Sequence, residues 1–323
     1  MKIAVMGPIH EDGWGLLKKH DFDVFEITNF EDNSLKKELA DVDGIALRTA
    51  KLNSDVLSHC TKLKIVSRHG VGYDNVDKEF LDDNKIALGI TGTANSVAVA
   101  EHVMSMFLYL TKKINLSDSL TKDGKFTNKN SIQDIFEIYN KNILIIGFGR
   151  IGRALAKRCL GFDAKVFVYD PFVNNSTIEE LNCYPINKEE GLKIADYISI
   201  HLPLNKSTKN FISTNEFTLV KKNLIIVNTA RGGIINEKAL ALALKENQIA
   251  GAGMDVFQIE PPIKNHPFYN LNNIVLSPHN AALTLECRKR MAIEVCENLI
   301  YFLKRDKNLK ITNFVNAELL NLN

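Results

Sequence analysis

Arg231, Glu260 and His279 lie in three polar segments, each of which follows a short apolar run. Asn228-Thr229-Ala230-Arg231-Gly232-Gly233 comes after residues 224–227, Asp255-Val256-Phe257-Gln258-Ile259-Glu260-Pro261-Pro262 after 251–254, and Ser277-Pro278-His279-Asn280-Ala281-Ala282 after 274–276. A planar guanidinium suits a carboxylate. An imidazole exchanges protons near neutral pH, and a carboxylate on its second ring nitrogen would keep it charged and fix its orientation. These are the parts that reduction of a 2-keto acid requires: a cation to hold the carboxylate and polarise the carbonyl, an acid to protonate the developing alkoxide, and a partner for that acid. Singly, each residue reads as a surface cation, a turn residue before Pro261 or a loop histidine after Pro278. Their joint occurrence behind three successive runs makes the chemical case.

Upstream, Ile143-Leu144-Ile145-Ile146 runs into Gly147-Phe148-Gly149-Arg150-Ile151-Gly152, where a helical pattern (Ile151, Leu155, Ala156, Cys159) begins. Strand, G-x-G-x-x-G and helix in this order make a dinucleotide cradle. Gly147 permits the tight turn, Gly149 the approach of a pyrophosphate and Gly152 the close packing of helix on strand, while free N–H groups of the helix start face the phosphates. Asp170 closes the next run, 165–169, 18 residues after Gly152. A carboxylate there accepts from ribose hydroxyls and repels a 2′-phosphate. With no Arg or Lys over 171–177, NAD is favoured over NADP.

The elements behind these residues alternate. Residues 2–6, 23–27, 44–47, 64–67 and 86–90 read as strands with helical patterns between them, and a second series follows at 143–146, 165–169, 197–200, 224–227, 251–254 and 274–276. Such alternation implies βαβ crossovers and parallel sheets, which would bring Arg231, Glu260 and His279 to carboxyl ends of strands, where open α/β sheets bind ligands. Residues 97–116 carry apolar side chains at helical spacing and read as a long helix bridging two domains. Residues 117–130 have no apolar period and read as surface chain; a last helical pattern (Met291, Val295, Leu299, Phe302) precedes an Asn-rich tail.

A chain of 323 residues with 45% hydrophobic and 24% charged content suits about two domains. Its 40 basic and 38 acidic side chains are interspersed and leave a net charge of +2, which argues against nucleic acid or a membrane as partner. The five cysteines (Cys60, Cys159, Cys183, Cys287, Cys296) are scattered, with no Cys-x-x-Cys. That argues against a disulfide framework or a metal site and for a reducing compartment. No apolar run is long enough for a signal peptide or a spanning helix, so a cytoplasmic location is expected.

Further blocks extend the pattern: Arg68-His69-Gly70-Val71-Gly72-Tyr73-Asp74-Asn75-Val76-Asp77, Asn95 with Val99-Ala100-Glu101-His102, and His201-Leu202-Pro203-Leu204. With the segments above, they resemble the D-isomer-specific 2-hydroxyacid dehydrogenases over nearly the whole chain. The resemblance implies an α/β protein of two doubly wound parallel-sheet domains: a flavodoxin-like substrate domain from 1–97 and 286–323, and a Rossmann NAD-binding domain from 98–285, with the active site in their cleft. It implies that Arg231, Glu260 and His279 are catalytic and that Val71, Gly72 and Arg231 contact the substrate. Cofactor contacts are expected at Gly147, Gly149, Arg150, Ile151, Gly152, Asp170, His201, Pro203, Thr229, Ala230, Asp255, His279 and Ala281. His102, on a helix, reads as structural rather than catalytic. Asn140 stands where many members have Gly, and Asn tolerates the same left-handed backbone. A homodimer is implied, with 101–130 as its interface. The additional C-terminal regulatory domain of many phosphoglycerate dehydrogenases is not expected, nor is its serine feedback.

The 68–72 block and Leu47-Arg48-Thr49-Ala50-Lys51 are similar to phosphoglycerate-dehydrogenase-like members, and Arg48 with Lys51 would meet an anionic tail such as a phosphate. Hydroxypyruvate or glyoxylate reduction is the alternative. A non-catalytic NAD-sensing scaffold is the rival of another class, and the intact Arg231, Glu260 and His279 count against it. Formate dehydrogenases, also similar, lack the glutamate that Glu260 supplies.

Overall fold

Strands buried on both faces need apolar residues at successive positions, and most of the short runs have them, the acidic 23–27 run excepted. The computed structural model describes residues 1–306, 309 and 313–320. Part of the Asn-rich tail and of the expected 286–323 segment therefore lies outside the described residues. Residues 1–95 with 283–323 form one compact unit and residues 96–282 another.

In the first unit, β1 (Lys2–Met6), β2 (Asp23–Ile27), β3 (Gly44–Leu47), β4 (Ile65–Arg68) and β5 (Ala87–Ile90) make a parallel sheet in the order β2-β1-β3-β4-β5. This is the flavodoxin-like order. Side chains alternate across it. Ile3 and Val5 pack with Val295, Leu299 and Ile300 of the helix Leu285–Lys304, while Ala4 and Met6 pack with Ile45, Leu47, Val66 and Leu88 on the other face. The helix near the end of the chain is thus tied to its first strand by apolar burial. Beyond it, the Val315 N–H donates to the Leu88 carbonyl (2.8 Å) and the buried Asn316 Oδ1 accepts from the Leu88 N–H (2.9 Å).

In the second unit, β6 (Asn142–Ile146), β7 (Lys165–Tyr169), β8 (Tyr184–Pro185), β9 (Tyr197–Ile200), β10 (Ile225–Asn228), β11 (Gly251–Met254) and β12 (Ile274–Leu276) form a parallel sheet in the order β8-β7-β6-β9-β10-β11-β12. That is the Rossmann order with one further strand, reversing direction between β6 and β9. The strands expected from the sequence are present, with ends displaced by no more than one residue. β8 was not expected: two residues offer no alternation to read, and Pro185 is tolerated because β8 is an edge.

The expected bridging helix over 97–116 needs correction. Ser96–Lys112 is a helix of the second unit, where Ala100, Val103, Met104 and Phe107 share a core with Leu155, Ala156 and Cys159 of the helix Arg150–Leu160. It stops because Lys113 is left-handed (φ 48°), a conformation that breaks the helical ladder. A separate helix, Ile114–Lys122, then runs into stretches expected to be irregular, followed by a 3₁₀ turn at Phe126–Ser131. Neither buries a residue, which is why no apolar period announced them. Among the described residues no helix is long and apolar enough to cross a membrane.

Candidate active site

Because every strand of the second sheet is parallel, the segments after β6, β7, β9, β10, β11 and β12 all emerge at one edge. The turn after β6 is shaped by close backbone contacts. Gly147 has φ 95°, and a Cβ on it would lie 2.6 Å from the His201 carbonyl oxygen; a Cβ on Gly152 would lie 2.3 Å from the Gly147 oxygen. Only glycine fits at either place. Gly149 is different, since a Cβ there would meet nothing within 4 Å. The space beside it is open, and Gly149, as the N-cap of the helix that starts with Arg150, Ile151 and Gly152, has no side chain to set over the first N–H groups. Asp170 is half-buried and held in place: its Oδ2 accepts from the Phe148 N–H (2.7 Å) and its Oδ1 from the Phe172 N–H (2.9 Å). Open room at Gly149, a helix start with glycine as its N-cap and an oriented carboxylate at the next strand fit the diphosphate and ribose of a dinucleotide.

His201 and Pro203 follow β9 beside this turn. The His201 N–H donates to the Ile146 carbonyl (2.7 Å), its Nε2 pairs with Ser199 Oγ (2.9 Å), and burial pushes its pKa down to about 3, so the ring is neutral. Pro203 is exposed and its carbonyl accepts from Thr208 Oγ1 (2.6 Å). Thr229, after β10, is buried with its hydroxyl oxygen unpartnered among the described residues, and the Ala230 N–H donates to Asn228 Oδ1 (3.0 Å).

The three candidate catalytic residues come from the next three strand ends. Asn228 ties the turn after β10 by donating from Nδ2 to the Arg231 carbonyl (2.9 Å). Gly232, to which the sequence reading gave no role, lets this turn lie against the chain that carries Glu260: a Cβ on it would fall 1.9 Å from the Phe257 oxygen. Glu260 Oε1 accepts from the Phe257 N–H (3.0 Å), and Oε2 pairs with His279 Nδ1 at 2.8 Å. Partial burial pushes the Glu260 carboxyl up. The hydrogen bonds from His279 and the Phe257 N–H, with the charges of His279 and Arg231, outweigh that and leave it below the ordinary glutamate value. The pair remains reachable, with the His279 side chain 49% and Glu260 38% exposed. His279 itself is left-handed (φ 52°), uncommon for a residue with a Cβ. A cavity of about 340 Å³ adjoins the pair, lined besides by Phe257, Pro261, Pro262, Tyr269 and Leu276.

Residues 104–281 match the family described as D-isomer specific 2-hydroxyacid dehydrogenase, NAD binding domain. The chain belongs to this family. Among curated relatives, D-3-phosphoglycerate dehydrogenase of Archaeoglobus fulgidus is 32% identical over 98% of this chain and 59% of that protein. Glyoxylate reductase of Thermococcus litoralis is 34% identical over 99% of this chain and 98% of that protein. The chain thus spans about 60% of the length of the phosphoglycerate dehydrogenases of A. fulgidus and Methanocaldococcus jannaschii. Among solved structures, D-lactate dehydrogenase of Aquifex aeolicus, complexed with NAD and lactic acid, has a TM-score of 0.86 at 26% identity, covering 97% of this chain and 98% of that one.

Glu260 and His279 are in direct contact, and Arg231 is close enough for its charge to act on Glu260. Arg48, Val71 and Gly72 belong to the first unit, after β3 and β4. Arg48 is half-buried and donates from Nη1 to the Pro8 carbonyl (3.2 Å); Val71 and Gly72 are half-buried in a loop that Arg68 braces by donating to Asn75 Oδ1 (3.1 Å) and to the His69 carbonyl. Two expected cofactor residues sit deeper than the sequence suggested. Asp255 is fully buried and Ala281 nearly so, and they bond to each other, the Ala281 N–H donating to Asp255 Oδ2 (3.0 Å). Ser277, which carries no sequence signal beyond its nearness to His279, donates to Asp255 and contacts His102. No local pattern announces a contact between residues so far apart in the chain.

Proposed function

We propose that this family member is an NAD-dependent oxidoreductase that interconverts a D-2-hydroxy acid and its 2-keto acid. The 2.8 Å contact between His279 Nδ1 and Glu260 Oε2, on the same sheet edge as the glycine cradle, carries the reading. NAD supplies the hydride acceptor in one direction and, reduced, the donor in the other. The residues of the chain do the rest. Arg231 holds the substrate carboxylate and polarises the carbonyl. His279 passes its proton to the substrate oxygen from Nε2, the ring nitrogen that Glu260 does not engage. Glu260, kept ionised by its hydrogen bonds, orients the imidazole and stabilises its cation. Thr229, with its unpartnered hydroxyl, and Ala230, His201, Pro203 and Asp170 line the cofactor side.

The preferred substrate in this proposal is a phosphorylated acid of the 3-phosphoglycerate type, with Arg48 at the anionic tail and the backbone of Val71 and Gly72 at the carboxylate. Glyoxylate or hydroxypyruvate is the second reading, supported by a glyoxylate reductase relative of similar identity. Steady-state NADH and NADPH oxidation with a panel of short 2-keto acids, phosphorylated and not, tests both. No turnover with any of them would leave the NAD-sensing scaffold; a higher kcat/KM for unphosphorylated acids would favour the second reading.

The proposal includes a homodimer with 101–130 at its interface, supported by exposed apolar side chains there at Ile114, Leu116 and Phe126. Light scattering after size exclusion checks it, and a monomer at micromolar concentration would refute it. Five free, buried thiols support a reducing, cytoplasmic setting.

A further inference from the structure

The carboxylate of Asp255, wholly buried just after β11, is enclosed by the loop that carries His279. Its Oδ1 accepts from Ser277 Oγ at 2.5 Å and from the Asn280 N–H at 2.9 Å, and its Oδ2 accepts from the Ala281 N–H at 3.0 Å. Removing a carboxylate from water costs on the order of several kcal/mol unless donors replace the lost hydration, and these three do. They stand on both sides of His279 in the chain. The loop therefore wraps the carboxylate, and His279 is left at its apex with φ 52°. A left-handed residue with a Cβ is disfavoured and persists only where its surroundings over-determine it.

A second contact reaches this loop from far away in sequence. His102, on the helix Ser96–Lys112, places Nε2 2.9 Å from Ser277 Oγ and 3.8 Å from Asp255 Oδ1. A serine hydroxyl has one proton, and an ionised carboxylate only accepts. Ser277 gives its proton to Asp255, so at Ser277 the bond with His102 must be an N–H donated by Nε2. The chain of donation runs from His102 to Ser277 to Asp255, and both Asp255 oxygens are already engaged by protein.

We infer that Asp255, Ser277 and His102 are positioning residues, which fix the backbone of the 277–281 loop so that the His279 imidazole meets Glu260. This rests on His279 being the proton donor of the proposed reaction. The three act through the loop and not by touching the reacting atoms. A displacement of about 1 Å at a reacting group costs on the order of a hundredfold in rate, so the loop leaves little tolerance.

The test compares Ser277→Ala, Ser277→Thr, His102→Ala and His102→Gln, none of which removes a group of the proton-transfer pair. Ser277→Ala is expected to lower kcat roughly 10- to 100-fold with NADH affinity unchanged. Ser277→Thr, which keeps the hydroxyl, restores most of the loss; His102→Ala costs less, and His102→Gln recovers it through its amide donor. A readout independent of turnover is the ¹H–¹⁵N spectrum of the His279 ring. The Nδ1 proton shared with Glu260 shifts and broadens in Ser277→Ala as it does in Glu260→Gln, while Ser277→Thr keeps the wild-type resonance. Wild-type kcat with an unmoved His279 resonance in Ser277→Ala and His102→Ala overturns the inference. So does a kcat loss that tracks lost NADH affinity and that threonine fails to restore. Should the wild type oxidise NADH with no 2-keto acid, the proposed function fails by itself, and the ring spectra still decide the positioning role.

Discussion

The 147–152 turn and the 277–281 loop both close strands at the carboxyl edge of the second sheet, yet they hold their shapes by different means. The first is shaped by what its residues lack: two missing Cβ atoms let backbone meet backbone at Gly147 and Gly152, and a third leaves open room at Gly149. The second is shaped by what distant side chains add, a buried carboxylate from the end of β11 with a serine and a helical histidine behind it. A requirement met by absence is local and tolerates little substitution. A requirement met by hydrogen bonding is distributed, and the residue it serves can be strained, as the left-handed His279 is. In the proposed reaction the contrast divides the labour as well, with the diphosphate of the cofactor resting on the turn and proton transfer on the loop.

The division is most sharply broken at His279. His279→Ala should reduce kcat by about 10²- to 10⁴-fold, the range for losing a general acid, with the NADH dissociation constant unchanged in a fluorescence titration. A parallel loss of NADH affinity would mean that the loop also binds cofactor.

The next effect separates two glycines. Gly152→Ala sets a Cβ 2.3 Å from the Gly147 oxygen, so the turn must move, and both the melting temperature and NADH affinity should fall. Gly149→Ala meets no protein atom and should melt like the wild type, yet bind NADH roughly tenfold more weakly or worse, because the methyl occupies room a pyrophosphate needs. Equal NADH affinity in Gly149→Ala and wild type would refute the cradle reading. Asp170→Ala should narrow the preference for NADH over NADPH by roughly tenfold in kcat/KM, one charged hydrogen-bonding group having been removed.

The smallest effect is on stability against pH. Glu260 binds its proton less readily in the folded chain than the ordinary value of 4.5. A group of this kind stabilises the fold while it is ionised, above the range of an unfolded glutamate, and the stabilisation is lost as pH falls through the lower folded value. The melting temperature of wild type should therefore exceed that of Glu260→Gln at pH 7, with the gap closing as pH falls below the ordinary glutamate value of 4.5. A gap that stays constant with pH would mean that Glu260 acts by packing alone.

Much of this molecule was legible before any coordinates. Most strands of both sheets carry continuous apolar runs, and the edge strand β2 mixes acidic with apolar residues, so their positions are legible to within a residue; only the two-residue β8 has no signal. The segments with no buried face were the hard ones: Ile114–Lys122 and Phe126–Ser131 form local structure that no core periodicity announces. The contact between Glu260 and His279 was inferable from chemistry, because an imidazole acid calls for a carboxylate and only a few polar residues stand behind strands. Gly232 follows Arg231 directly, but its purpose, allowing the turn to touch Phe257, depends on a neighbour outside the local sequence.

What sequence alone determined here is whatever local sterics and periodicity impose: the parallel strands, the glycine turn with its following carboxylate, and the polar groups delivered to strand ends. What only the tertiary structure decided is which distant groups complete one another. The sequence reads Asp255 as a cofactor contact, and only burial gives its carboxylate to the 277–281 loop; it reads His102 as structural, and only the fold sets its Nε2 at Ser277. The physical reason is that a hydrogen bond depends on distance and direction in space, which residues 175 positions apart acquire only when the chain has folded.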